Sequence, residues 1–146
     1  MIAIHKLCKA FDNKAVLRDF SCTMEDGCVT ALMAPSGAGK TTLLRMLMGL
    51  ETADSGEISG LSGRRISAVF QEDRLCPQLT AEENVELVLP AEQYKVKTQY
   101  KKQIRDDLIQ LGLDDEALAL PARKLSGGQK RRTALLRALW AESAVS

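Results

Sequence analysis

The chain is short of the features that announce several common classes of protein. Its 20 Lys and Arg against 19 Asp and Glu leave a net charge of +1, which gives no electrostatic footprint for nucleic acid or an anionic membrane. The four cysteines, Cys8, Cys22, Cys28 and Cys76, form no CxxC pair and no metal-ligand spacing. The N-terminus does not read as a secretory leader, so four reduced thiols in a cytosolic protein are predicted. No apolar run approaches the roughly 20 residues that cross a bilayer, which restricts any membrane role to a peripheral one. There is one histidine, His5, and there is no internal repeat or low-complexity stretch. The 146 residues make one small domain or a piece of a larger one, and 45% apolar with 27% charged residues is ordinary for a globular chain.

What is present has a clear order. Ile2 and Ile4, then Phe20, Cys22 and Met24, alternate as strands with one buried face do. Asp26-Gly27 is a turn signal. The run CVTALMA, Cys28 to Ala34, is apolar almost throughout and predicts a strand inside a sheet covered on both faces. A glycine-rich loop follows, then TTLLRMLMGL, a helix closed by Gly49, while GEIS and ISAVF predict further short strands. From Thr80 the pattern turns helical. Thr80 with Glu83 is a capping box. A second helix is predicted over Lys95 to Leu111 with Tyr100, Ile104, Leu108 and Leu111 on one stripe, and a third from Ser126 to about Trp140.

The sharpest chemistry lies in APSGAGKTT, Ala34 to Thr42, between a predicted buried strand and a helix, the setting of a phosphate-binding loop. Gly37 and Gly39 let the backbone curl so that N–H groups point inward at phosphate oxygens. Ser36, Ala38 and Thr42 belong to the same cradle. The helix N-terminus adds roughly half an elementary positive charge. Lys40 can reach the β- and γ-phosphates, and the Thr41 hydroxyl can ligate Mg²⁺. The strict pattern opens with glycine where this chain has Ala34. Alanine is tolerated at a compatible φ and costs about 1 kcal/mol or more if forced to positive φ.

With that loop the chain resembles the ATP-binding cassette (ABC) ATPases over essentially its whole length. KAFDNKAVLRDFS resembles the segment whose aromatic residue, here Phe11, stacks on adenine with Val16 alongside; APSGAGKTT resembles Walker A. VFQEDRL resembles the Q-loop, which implies that Gln71 touches Mg²⁺ and the attacking water, and LSGGQKRRTALLRAL resembles the signature motif and its helix. The fold implied is α/β: a P-loop NTPase (RecA-like) core with an antiparallel β-subdomain and a helical subdomain. Residues 1–75 are assigned to the β-subdomain and P-loop core, 76–124 to the helical subdomain, and 125–146 to the signature and a helix returning to the core.

The resemblance implies two cassettes packed head to tail, with each ATP between the P-loop of one and the signature of the other. Ser126, Gly127, Gly128 and Gln129 would then complete a neighbour's site, the glycines permitting close approach of a γ-phosphate. Lys40 and Gln71 would be the catalytic groups, with ATP and Mg²⁺ as cofactors. The family's next strand ends in Asp-Glu and is followed by a switch histidine. Neither has a counterpart in these 146 residues, and His5 precedes the P-loop. The expectation is a cassette cut short before Walker B, its C-terminal core absent, without turnover of its own and with the Val29–Met33 strand left unpaired at an edge.

Three functions follow from this. The first is the ATPase subunit of an ABC membrane transporter, held by transmembrane permease subunits on the cytoplasmic face of the inner membrane, with no nucleic acid partner. VFQEDRLCPQLTAEENV resembles bacterial importers of the nitrate and sulfonate group. The second is a cassette ATPase of DNA maintenance or translation, and the third a non-catalytic or truncated nucleotide-binding module. Among lesser features, Lys95, Lys97, Lys101 and Lys102 predict a solvated helix face, as do Lys130, Arg131 and Arg132. Trp140 is expected in the core, and Glu72, Asp73, Asp114, Asp115 and Glu116 as surface, capping or hinge residues.

Overall fold

The computed structural model describes residues 1–90 and 97–143, and the chain divides into two compact units, Met1–Arg64 and Arg65–Ser146.

The first unit is built on a hairpin. Strand β1 (Ile2–Phe11) pairs antiparallel with β2 (Lys14–Met24), and β3 (Ser55–Ser59) pairs antiparallel with the other edge of β1, giving the order β2-β1-β3. The hairpin closes through Asp12 and Asn13 at φ 49° and 64°, with Phe11 opposite Lys14. Both central residues are left-handed, as a two-residue turn matching the twist of its strands requires. Strict alternation would place Ile4 and Lys6 on one face. Instead the register shifts between Ile4 and Leu7, with Lys6 at φ 45°, and both Ile4 and Leu7 are buried. The bulge rotates the strand by one residue and keeps its apolar side inward.

Helix α1 (Lys40–Leu47) lays Leu43 and Met46 on that face, against Ile4, Leu7 and Leu17. It ends as predicted at Gly49, whose N–H donates to the Met46 carbonyl at 3.0 Å while Leu50 N–H donates to Arg45 at 2.8 Å. This pair of bonds satisfies carbonyls that a helix end leaves open.

In the second unit, α2 (Ala81–Glu86) carries the expected capping box: Thr80 N–H donates to Glu83 Oε2 at 2.8 Å and Glu83 N–H to Thr80 Oγ1 at 3.2 Å. Helix α3 (Lys97–Gln110) presents Ile104 and Leu108, both fully buried, with Tyr100 and Leu111 packed beside them. Lys101 and Lys102 are exposed, and Lys95 lies outside the described residues. A short helix α4 (Asp115–Ala119) is capped by Asp114, which accepts from Ala117 N–H at 2.8 Å. A 3-10 turn at Ala122–Lys124 leads into α5 (Gly127–Ser143). Trp140 is buried on α5 as expected, meeting Tyr100 edge-on at 6.0 Å and donating its indole N–H to Asp107 Oδ2 at 2.9 Å. Arg105 ties α3 to its neighbours, donating to Glu82 and to Asp115 at 2.6 Å each.

Two expected strands are not formed. Cys28–Ala34 is irregular and exposed, with Val29 and Met33 almost wholly in solvent, and residues 66–70 likewise join no ladder. An apolar run becomes a strand only when neighbours supply hydrogen-bond partners on its edges and cover on its faces. No strand among the described residues does so for either run.

Candidate functional site

The loop from Ala34 to Thr42 is shaped by two left-handed glycines, Gly37 at φ 82° and Gly39 at φ 88°. Gly39 is buried and sits at the N-cap of α1. A Cβ there would lie 2.9 Å from both Cγ1 and the carbonyl oxygen of Val16, so the residue is glycine for space as well as for φ. That contact seats the loop against the start of β2. Ala34 has no positive φ, so the departure from glycine at this position costs no strain.

Lys40 bends back over the loop. Its ammonium donates to the carbonyls of Ala34 at 2.6 Å and Pro35 at 2.8 Å, closing the loop into a ring from its last residues to its first. Ser36, Gly37, Ala38 and Thr41 are exposed, and Thr42 is half-buried. Thr41 stands in the first turn of α1, whose N–H groups have no partners within the helix. The open N–H groups of the helix start, a lysine and a helix-borne hydroxyl form a donor set suited to a polyphosphate with a hard divalent cation.

The same unit holds Phe11 and Val16. Phe11 ends β1 with 42% of its surface exposed, and Val16 is half-buried against Gly39. Lys9, which the motifs did not single out, lies beside them. Its ammonium is 2.9 Å from Glu51 Oε1, 3.3 Å from Asp54 Oδ1 and 5.1 Å from the Phe11 ring centroid. Glu51, and then Asp54, hold the Lys9 ammonium above its ordinary pKa, against a smaller opposing effect of burial. Lys9 holds Glu51 below the usual carboxylate range, and the Ala10 N–H does the same for Asp54.

The stability these carboxylates add is therefore fully present above their unfolded pKa values of about 4 and is lost as pH falls through their depressed folded values. Lys9 acts at the other end: its share is fully present below the unfolded lysine pKa and is lost as pH rises through its raised folded value. Between pH 7 and pH 3 the unfolding midpoint in urea should drop more for the wild type than for Glu51→Gln. Parallel drops would remove the network from the account of acid sensitivity.

Gln71 and the LSGGQ residues lie in the second unit. Leu125 is buried and anchors the motif, leaving Ser126, Gly127 and Gly128 exposed. Gln129 N–H donates to Ser126 Oγ at 3.2 Å and Ser126 N–H to Gln129 Oε1 at 2.8 Å, a reciprocal capping box that starts α5. The Ser-x-x-Gln spacing carried that signal in the sequence. The Gln129 side-chain oxygen Oε1 is thereby engaged with the helix start, and the two glycines are the exposed surface between the caps.

Arg131 is exposed, as its position suggested, and is also engaged. Its guanidinium donates to the carbonyls of Phe70 at 2.8 Å and Gln71 at 3.0 Å, with Nε 3.4 Å from Asp73. Arg137, one helical stretch further on, donates to Arg74 at 2.9 Å and Asp73 at 3.3 Å. The Arg74 guanidinium stacks on the Phe70 ring at 3.9 Å. Residues 70–74 are thus moored to α5 through their backbone. Nothing in local spacing could have announced contacts across some sixty positions.

The ABC transporter family model matches residues 17–146. The aliphatic sulfonates import ATP-binding protein of Xanthomonas axonopodis is 38% identical over 99% of this chain, and the methionine import ATP-binding protein of Rhizobium johnstonii 42% identical over 94%. The chain spans 59% of the first relative's length and 41% of the second's. Among solved structures, a dimeric ATP-binding cassette in a post-hydrolysis state with ADP and Pi superimposes with a TM-score of 0.75 at 26% identity, covering 97% of this chain and 70% of that one. A second dimeric cassette structure, of a bacterial ABC transporter, gives 0.76 at 27% identity, again over 97% of this chain and 70% of its own. The α/β architecture is therefore that of the cassettes, and on the motifs, the loop geometry and these matches the chain belongs to the ABC transporter family.

Proposed function

We propose that the chain binds MgATP and is the nucleotide-binding part of an ABC importer, paired head to tail with a second cassette and docked on transmembrane permease subunits at the cytoplasmic face of the inner membrane. The observation that carries this is the Ala34–Thr42 loop: two left-handed glycines, a lysine arched over the ring, and a helix start behind it. Ser36, Gly37, Ala38, Gly39 and Thr42 surround the phosphates, Lys40 pairs with the β- and γ-oxygens, and Phe11 and Val16 take the base. Thr41 and Gln71 hold Mg²⁺, which when bound offsets charge on the phosphate oxygens. Ser126, Gly127, Gly128 and Gln129 face the γ-phosphate of the partner's nucleotide. The relatives' names, import ATP-binding proteins for aliphatic sulfonates and methionine, support the transport reading. No helix among the described residues is long and apolar enough to cross a membrane, which suits a subunit that works through a permease.

ATP-dependent self-association tests the paired site. Light scattering after size exclusion should show a dimer for the wild type with ATP. Ser126→Arg should bind ATP as a monomer and fail to associate, because the added guanidinium fills the space between the glycines and the partner. A dimer of normal mass from Ser126→Arg would remove the role in trans.

A further inference from the structure

We propose that Lys9 is a positioning residue for the nucleotide base: its ammonium covers one face of Phe11, so that only the opposite face stacks. The inference rests on the reading of Phe11 as the base-stacking residue and extends it to a residue outside the motif.

Three observations carry it. The Lys9 ammonium lies 5.1 Å from the ring centroid, while Phe11 keeps 42% of its surface exposed. A cation at that distance is drawn to the electron-rich face and withdraws density from the ring. The Lys9 side chain is 10% exposed and is held by Glu51 at 2.9 Å and Asp54 at 3.3 Å, so it is not a mobile surface lysine that a phosphate could recruit. Asp54 also accepts the N–H of Ala10 at 2.7 Å, which fixes the backbone between Lys9 and Phe11. The ammonium is thus paired with two carboxylates while it lies over the ring of a half-exposed Phe11. Two carboxylates neutralise the Lys9 charge and leave the cluster at −1, so Lys9 is no net cationic site for polyphosphate. Its effect is confined to the ring, whose polarised free face stacks better on a purine, an interaction sensitive to aromatic electronics.

The test compares ATP with inorganic tripolyphosphate, which engages the P-loop without a base. Lys9→Met keeps the apolar stem and removes the charge. It should weaken ATP binding about two- to fivefold, the scale of an exposed cation–π contact, and leave tripolyphosphate unchanged. Lys9→Arg should restore ATP affinity, and in a Phe11→Ala background Lys9→Met should add no further loss. A role in folding alone, or an electrostatic effect on the phosphates, would weaken both ligands together or persist without Phe11, and either result overturns the proposal. ATP binding indifferent to Phe11→Ala overturns it together with the base-stacking reading. Binding indifferent to Lys40→Ala instead removes the P-loop reading, and the proposal falls with it.

Discussion

Lys40→Ala is expected to lower ATP affinity by about a hundredfold or more, because two charge-assisted hydrogen bonds to phosphate oxygens contribute about 1.5–3 kcal/mol each. The substitution has a second cost. In the present structure the ammonium ties the end of the loop to the carbonyls of Ala34 and Pro35. Without that clasp the loop must be ordered at the moment of binding. The hairpin and α1 do not depend on it, since their packing rests on Ile4, Leu7, Leu17, Leu43 and Met46. Titration with a fluorescent ATP analogue, beside far-ultraviolet circular dichroism, separates the two. Equal affinity in a folded variant would end the assignment of this loop to phosphate.

Asn84→Ala should be the most damaging single change in the second unit. Asn84 has no exposed surface. Its amide nitrogen donates to the carbonyls of Cys76, Leu79 and Thr80 at 3.1, 3.3 and 2.9 Å, and its oxygen accepts Cys76 N–H at 2.7 Å. One side chain therefore organises the whole turn that leads into α2. Truncation leaves the Cys76 N–H without its acceptor, at about 1–3 kcal/mol, and strips the second donor from three carbonyls that each keep one backbone bond, while opening a cavity beside α2. A loss of about 3 kcal/mol corresponds to a melting point lower by roughly 12 °C or more in a domain of this size. Asn84→Asp keeps the shape and the acceptor but cannot donate, and should lose nearly as much. A thermal melt within a few degrees of wild type for both variants would contradict this account.

The elements legible in the sequence were those whose causes are local. Thr80 and Glu83 cap a helix three residues apart, Ile104 and Leu108 share a stripe, and Cys22 alternates with the polar Ser21 and Thr23; each signal sits within one turn or one pleat. The shape of the Ala34–Thr42 loop was legible for the same reason, because two glycines, a lysine and a helix start follow one another without interruption. Two readings failed on a different principle. Cys28–Ala34 has the composition of a buried strand, yet strand formation is a property of pairs, and composition alone supplies no partner. Asn84 carries no signal in AEENVE that marks it as the hub of a turn, since the carbonyls it meets are placed by the chain before the helix. Lys9 was not singled out at all and Arg131 was read only as an exposed charge, because their contacts, to Glu51 and Asp54 and to Phe70 and Gln71, were fixed only by folding. The nucleotide roles were read from motif resemblance, while the features that support those positions came from packing.

The mooring of residues 70–74 to α5 has a consequence for how this stretch can vary. Arg131 and Arg137 grip four carbonyl oxygens, those of Phe70, Gln71, Asp73 and Arg74. A carbonyl is the same group whichever side chain accompanies it. Most substitutions at Gln71 or Glu72 therefore alter what the loop offers to a ligand while its path along the helix stays put. Placement and chemistry are inherited separately here: the arginines on α5 set the address, and the loop is free to change its contents.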